Sequence, residues 1–161
     1  MHRLILALTL LVAACSTPIA PSYRNATAPI TSVALFDPAR FAGHWEMIAM
    51  TGPTACAFDV VAATPTMFDL SEHDCTGGVT HSVAQVTGPG RFTPSGGPNK
   101  GVEHWVMWVD QTYRTAVIGT VSGEFGMILN RDRNIPADRL KAAREILAWN
   151  GYDLTRLQMR P

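Results

Sequence analysis

The sequence has no excess of charge of either sign, since 13 Lys and Arg residues balance 13 Asp and Glu residues. This balance excludes a broad basic surface for nucleic acid and an acidic tail. Only 16% of the residues are charged and 47% are apolar, which is typical of a folded chain with an apolar interior or pocket. With 161 residues, the chain is long enough for one domain with a substantial core, but not for two.

Familiar catalytic motifs are also missing. The sequence contains no G-x-S-x-G, H-E-x-x-H, phosphate-binding loop or C-x-x-C, so it gives no positive case for an enzyme, and we expect none. The histidines that follow the apolar run at the start of the chain lack the close spacing of metal ligands: His44, His73, His81 and His104. We therefore expect no metal and no cofactor, with a haem held by a histidine and a methionine as the alternative.

No apolar run is long enough to span a bilayer. The run from Leu4 to Ala14 follows Arg3, which is the order of a secretion signal. Its end, "VAAC", resembles the lipobox of bacterial lipoproteins, which implies a signal peptide over 1–14 and a lipidated Cys15 as the mature first residue. Ser16 in place of an Asp implies the outer membrane, facing the periplasm. The Ser-, Thr-, Pro- and Ala-rich segment 15–35 predicts an extended tether.

Cysteine is scarce, with three residues in the chain. Once Cys15 is acylated, Cys56 and Cys75 remain, and an even pair in an exported chain favours a disulfide. If Thr64–Met67 is a type I turn, with its Pro at the second position, the numbers of partner residues on the flanking strands sum to 131. The two cysteines would then lie directly opposite each other, at a separation that a disulfide can bridge.

Most of the chain reads as short β-rich segments divided by Gly, Pro and Asp, which is typical of a meander or barrel. The predicted strands are 44–51, 56–63, 67–73, 79–87, 91–94, 103–110, 114–121 and 125–131. The Gly- and Pro-rich surroundings of 91–94 indicate that the barrel is short-stranded or open there. A helix is predicted over 136–150, with Pro136 in its first turn and Gly151 after its end. A final strand is predicted from Leu154 to Met159.

Three motifs along these strands resemble the signatures of the lipocalins. Gly43-His-Trp45 resembles the Gly-x-Trp of the first strand, and Asp110-Gln-Thr-Tyr113 resembles the Asp-x-x-Tyr turn of the second signature. Arg131 resembles the Arg at the end of the third. The resemblance covers residues 36–55 and 103–158, and the predicted helix follows the last motif as it does in that family.

The resemblance implies an all-β domain over residues 36–161: an eight-stranded up-and-down antiparallel β-barrel, with one C-terminal α-helix packed outside and a short final strand. Gly43 would let the chain enter the base of the barrel tightly, and Trp45 would close that end with its ring. Arg131 would lie over the indole as a cation over a π face. We therefore expect these signature residues to be structural rather than catalytic.

An eight-stranded barrel encloses space for one small ligand. Alternation from Trp45 and back from Arg131 selects one face of each strand as inward. In the strand 103–110, either Trp105, Met107 and Val109 or Val106 and Trp108 face inward, and we expect the first set. The expected ligand-lining residues are Met47, Ala49, Trp105, Met107, Met127 and Leu129. Of these, Met47, Ala49, Met127 and Leu129 offer no paired polar groups for a buried head group, so head-group preference is expected to come from the loop region 88–101.

The resemblance implies a membrane-anchored lipocalin that binds or transports a small hydrophobic ligand, such as a fatty acid or lysophospholipid, in the cell envelope. The membrane is then a partner through the lipid anchor, and the charge balance does not favour nucleic acid. Two alternatives stay open at this point. The inward residues could simply fill the core, and the barrel could then act without a ligand as a structural or protein-interaction module of the envelope.

Overall fold

The computed structural model describes residues 21–52 and 55–160. In chain order the elements are α1 (Pro38–Phe41), β1 (Gly43–Thr51), β2 (Ala57–Ala63), β3 (Met67–His73), β4 (Val79–Gly88), β5 (Arg91–Pro94), β6 (His104–Val109), β7 (Thr115–Gly119), β8 (Gly126–Asn130), α2 (Ala137–Trp149), a 3-10 turn (Leu154–Arg156) and β9 (Gln158–Met159). Within the described ranges, no helix has both the length and the apolar character needed to cross a membrane.

Strands β1 to β8 form a closed antiparallel barrel in which each strand pairs with the next and β8 returns to β1. β2 pairs with the first part of β1, and β9 pairs with Ala49 and Met50 further along it. The connections at 52–56, 74–78, 95–103 and 120–125 share one end, here called the open end. The turns at 64–66, 89–90 and 110–114 share the other, the closed end. The predicted fold class is confirmed.

Two local features differ from the expectation, and a third agrees with it. α1 precedes β1 because Pro38 opens a turn whose first amides, at Ala39 and Arg40, donate to the Asp37 side chain. The predicted final strand divides into the 3-10 turn and the two-residue β9. β5 is short, as predicted, and it pairs with β6 through only two residue pairs.

Two apolar clusters lie on the two sides of the barrel wall. The inner cluster fills the barrel from the closed end with aromatic rings, which include Trp45, Phe41, Phe68, Phe92 and Phe58. The outer cluster lies between α2 and the wall formed by β6, β7, β8 and β1. Ala143 and Leu147 are the buried residues of α2, so the helix packs on the barrel through one narrow face, as the sequence predicts.

β-bulges interrupt the pairing and decide which side chains point inward. The β1–β8 register shifts between Met47 and Ala49, and the β6–β7 register shifts between Val106 and Trp108. An extra residue in one strand reverses the two-residue alternation beyond it. The inward residues of β1 are therefore Trp45, Met47 and Met50.

Candidate functional site

The closed end is sealed by an aromatic and guanidinium stack. The Arg131 guanidinium carbon lies 3.7 Å from the centroid of the buried Trp45 ring, whose Nε1 donates to the Phe41 carbonyl at 2.9 Å. Arg131 also donates to the carbonyls of Tyr113, His44 and Arg40. The guanidinium thus ties together the segments that meet at this end and covers the fully buried Trp45 ring.

Gly43 and the turn of the second signature hold this arrangement in place. Gly43 has φ of 105°, and a Cβ there would lie 3.1 Å from an Arg131 nitrogen, so a side chain would strain the backbone and crowd the guanidinium. Asp110 accepts the amides of Arg114 and Thr115 across the turn. Tyr113 accepts the Asp37 amide through its hydroxyl. The structure places these signature residues in the supporting positions that the resemblance implies.

The interior of the barrel is hollow near the open end. A cavity of about 130 Å³ lies there, above the aromatic part of the inner cluster. Its apolar wall comes from β1, β2, β7, β8 and the neighbouring connections: Met47, Met50, Ala55, Ala57, Phe58, Ile118, Phe125 and Met127. Three methionines in one wall make it adaptable, because the unbranched thioether side chain changes shape easily.

Two of the expected ligand-lining residues, Met47 and Met127, line this cavity. Leu129 also faces the interior, but it is fully buried in the inner cluster and does not contact the cavity. Leu129 pairs directly with Met47 across the β1–β8 ladder.

The expectation for Ala49, Trp105 and Met107 is wrong. All three belong to or pack against the outer cluster, under α2 and its neighbours. The bulge after Met47 turns Ala49 outward, and in β6 it is Val106 and Val109 that belong to or pack against the inner cluster. Neither of the two inward sets considered for β6 is correct, because the bulge places inward residues three apart instead of two.

The sequence reasoning also missed the polar groups of the cavity. Glu72 of β3, Asn99 of the β5–β6 connection and His104 of β6 all line it. Asn99 Nδ2 donates to Glu72 Oε1 at 3.1 Å. Burial raises the pKa of the Glu72 carboxyl, and this hydrogen bond lowers it by a smaller amount. The alternation of Phe68 and Leu70, both buried apolar residues, was a signal that would have placed Glu72 inward.

His104 is the most deeply buried polar group at the site, with 2% of its surface exposed. Its ring stacks between Phe92 and Phe125, with centroids 5.0 and 4.8 Å away. Burial lowers the pKa of His104 to about 4, so the ring is neutral at pH 7. Its Nδ1 lies 2.8 Å from the Val102 carbonyl, which assigns the ring proton to Nδ1 and leaves Nε2 as a hydrogen-bond acceptor.

Two histidines that are isolated in sequence meet on the outer surface of the barrel. Asp59 of β2 lies 2.6 Å from His44 Nδ1 and 2.6 Å from His73 Nε2. Burial lowers the pKa of His44, but the contacts of its ring with Asp59 and Glu46 raise the pKa by a larger amount, so the net shift is upward. His81 instead bonds to Ser71. Among the described residues, no group of three or more His, Cys, Asp or Glu side chains could hold a metal ion.

Cys56 and Cys75 form a disulfide at the open end, with a Cα–Cα distance of 5.1 Å. The register that predicts it holds near the turn, where Ala63 pairs with Phe68. A shift between Val60 and Ala62 then moves the pairing by one residue, so Ala57 faces His73. The disulfide joins the ends of the two strands just beyond this ladder.

The first residues of the chain and the proposed anchor lie outside the described residues: the signal peptide 1–14, Cys15 and Ser16. The later part of the expected tether, residues 21–35, makes hydrogen bonds to the barrel domain. Arg24 is buried, and its guanidinium donates to the carbonyls of Asn150, Val121 and Ala28. The Tyr23 amide donates to the Gly123 carbonyl at 2.7 Å, which holds the start of this segment beside the open end. Its later residues reach the closed end, where Val33 lies against Gly90.

With this geometry established, comparisons with known proteins agree on the fold. The family model of the lipocalin-like domain matches residues 91–161. Insecticyanin from the tobacco hornworm Manduca sexta is similar with a TM-score of 0.63 and 13% identity, over 88% of this chain and 87% of that one. Lobster apocrustacyanin A1 gives a TM-score of 0.60 and 12% identity, over 75% and 77% of the two chains.

A third similar structure is the siderocalin Ex-FABP, described as functioning through dual ligand specificities. Its TM-score is 0.58 at 12% identity, over 76% of this chain and 94% of that one. No curated protein matches the sequence. At identities this low, the likeness to solved structures shows the fold alone.

Proposed function

We propose that this chain, which has the lipocalin fold, binds one small hydrophobic molecule in the open-end cavity while a lipidated Cys15 holds the barrel at a membrane surface. The cavity carries the first part of this proposal. It is enclosed by the barrel, mostly apolar, and closed below by packed aromatic rings. Sites of this kind, apolar with a few polar groups, are the usual ligand sites of proteins.

The volume of the cavity sets the size of the ligand. An apolar cavity of about 150 Å³ accepts benzene, and the 130 Å³ found here is close to that value. A fatty acid or lysophospholipid could therefore place only the end of its acyl chain inside, unless the methionine side chains moved. Met47, Met50 and Met127 are suited to such movement, so we keep an acyl chain as a candidate ligand.

The docked N-terminal segment supports a place for this cavity near a membrane. Ser22 and Tyr23 lie against Gly123, in a connection of the open end. The chain from Cys15 to Ser22 has seven peptide units, and at roughly 3.5 Å per residue it reaches at most about 25 Å. A lipid on Cys15 would then keep the open end near the membrane surface. We propose the outer membrane, on its periplasmic side, because Ser16 follows Cys15.

A second candidate function rests on the filling of the barrel. The cavity is smaller than the roughly 300–1,000 Å³ of ordinary drug-sized ligand pockets, and most of the interior is occupied by the inner cluster. A barrel filled in this way could serve as a structural or protein-interaction module of the envelope, without a ligand.

Methionine methyl groups provide the test that separates the two candidates. In protein labelled with ¹³C at the Met methyl groups, 1-hexanol and dodecanoate are titrated separately and the methyl shifts are followed. We expect saturable shifts at Met47, Met50 and Met127, which line the cavity, and none at the exposed Met67 and Met159. Shifts that fail to saturate, or that occur equally at the exposed methyls, would favour the ligand-free module.

The anchor is tested separately. Cys15→Ala should yield a product that is either soluble or uncleaved, whereas the unchanged chain should be recovered in the membrane fraction and carry lipid on Cys15 by mass spectrometry. Mature-length Cys15→Ala protein that still partitions into membranes would contradict the anchoring proposal and leave the ligand proposal untouched.

A further inference from the structure

We infer that the open-end cavity selects a small amphiphilic amine, with its apolar body among the methionines and its ammonium group at Glu72. This inference rests on the proposed function, since it concerns the same cavity, and it names the chemical class of the ligand. It differs from the fatty-acid expectation because it requires a cationic hydrogen-bond donor where a fatty acid carries an anionic acceptor.

The polar groups of the cavity are mainly acceptors. Glu72 has one oxygen bonded to Asn99 and a second that is free to accept. His104, 2% exposed, uses Nδ1 for the Val102 carbonyl, and its Nε2 has no hydrogen-bond partner among the described residues. The side-chain donors of the described lining residues are the Thr80 hydroxyl, the second N–H of Asn99 and the His73 ring, whose Nε2 is already bonded to Asp59. A ligand that donates hydrogen bonds fits this surface better than one that only accepts them.

The charges at the mouth have the same sign. Asp74, in the β3–β4 connection, also lines the cavity, and its pKa is lowered by hydrogen bonds from Thr76 and Gly78, which keep it ionised. No Lys or Arg is among the described residues that line the cavity. Arg160 lines a separate groove on the outer wall with Cys56 and Cys75. His73, which also lines the cavity, is already paired with Asp59. A carboxylate at the mouth would therefore face the like charges of Asp74 and Glu72.

The position of Glu72 suits an ammonium group. Its carboxylate reaches across the mouth to the β5–β6 connection, where Asn99 holds one oxygen and Gly97 leaves room beside the other. Partial burial removes water from the carboxylate, and hydrogen bonds between ionised groups are stronger than those between neutral ones. The apolar wall begins directly below, with Met47, Met127 and Phe125.

The test compares three probes of equal length at pH 7.5: hexylamine, 1-hexanol and hexanoate, titrated against the folded chain with the Met methyl shifts as readout. We expect hexylamine to bind about tenfold more tightly than hexanol and hexanoate to bind most weakly. Glu72→Gln should remove the preference for hexylamine over hexanol. Glu145→Gln, on the exposed face of α2, is the matched control and should keep the preference.

The outcomes distinguish this inference from the proposed function. Saturable hexanol binding with equal or tighter hexanoate binding would overturn the amine inference and retain the binding function. Absence of saturable binding for all three probes would overturn both. If Glu72→Gln fails to fold, the order of the three probes on the unchanged chain, at low and at high salt, decides the inference, because an ion pair at the mouth weakens as salt rises.

Discussion

The Arg131 guanidinium carbon lies 3.7 Å from the Trp45 ring centroid, and the guanidinium N–H groups donate to backbone carbonyls of three separate segments. One side chain therefore caps the buried indole and supplies donors to backbone groups that lack strand partners at the closed end. The contact explains why a Gly stands two residues before the Trp: a side chain at Gly43 would meet the guanidinium.

Trp45→Ala should destabilise the fold strongly. Truncating a large buried aromatic residue costs about 3–5 kcal/mol, and Trp45 is fully buried. Trp149→Ala is the matched control, since Trp149 is 75% exposed and exposed substitutions usually change stability by less than about 0.5 kcal/mol. The free energies of unfolding come from denaturant titrations of both variants. Similar losses in the two would contradict the closed-end role of Trp45.

The inward orientation of residues that precede a bulge was predictable, because it follows from two-residue alternation along an uninterrupted strand. Trp45 and Met47 precede the bulge in β1, and their inward orientation follows from simple alternation. Ala49 follows the bulge, and its orientation does not. A bulge is a tertiary adjustment to barrel curvature, and the residues at 47–49 carry no Gly or other local mark of it. In β6 the register shift lies beyond Val106, so the error for Trp105 was the choice between two alternating faces that the sequence left open.

The polar part of the site could not be predicted from the sequence, for a different reason. Glu72 and Asn99 are far apart in the chain, and only the closure of the barrel brings the β5–β6 connection over the end of β3. The sequence around His104 carries no mark of its inward orientation, because that orientation depends on the register of β6. Burial of Arg24 against Asn150 and Val121 was equally invisible, since the surrounding composition is that of a tether.

Removal of the disulfide should lower stability without changing the fold. Closing a loop of this length in the unfolded chain contributes roughly 3 kcal/mol, and Cys56 and Cys75 are separated by 19 residues. The double variant Cys56→Ser, Cys75→Ser should lose about that amount in denaturant titrations, while its circular dichroism spectrum stays that of the parent. Thiol titration of the oxidised parent should find neither cysteine free. Two free thiols in that sample would show that the bond does not form.

The pH dependence of stability should carry a contribution from His104. Its pKa is about 4 in the folded state, against an ordinary value of 6.5, because burial disfavours the charged ring. The folded state thus binds the proton less well than the unfolded state does. The contribution of the neutral His104 ring to the free energy of unfolding is fully present above pH 6.5 and is lost as the pH falls toward 4. The total loss is about 3 kcal/mol.

His104→Phe isolates this contribution. The ring keeps its place between Phe92 and Phe125, and the loss of the bond to the Val102 carbonyl should cost about 1 kcal/mol at pH 7. Between pH 7 and pH 4, the variant should lose less stability than the parent, so that the order of the two reverses in acid. Parallel pH profiles for the two proteins would show that His104 does not titrate as a buried neutral ring.

Arg24 connects the N-terminal segment to both the helix and the open end. Its three donors satisfy the carbonyls of Asn150, Val121 and Ala28, at 3.0, 2.8 and 2.6 Å. Asn150 follows the last residue of α2, and Val121 lies in the β7–β8 connection, so the contact joins elements that are distant in the chain. Carbonyls that lose such donors in a partly buried place stay unsatisfied and cost stability.

Arg24→Met should therefore loosen the segment 21–35 and destabilise the domain by about 2–3 kcal/mol. The methylene stem is retained in this variant, which confines the change to the guanidinium. Arg139→Met, at a residue of α2 that makes no side-chain hydrogen bond or ion pair among the described residues, is the control and should leave stability unchanged. Limited proteolysis should cut between 21 and 35 faster in Arg24→Met than in either the parent or the control. Equal cleavage in all three would mean that the segment is held by its backbone contacts and that the guanidinium does not decide its position.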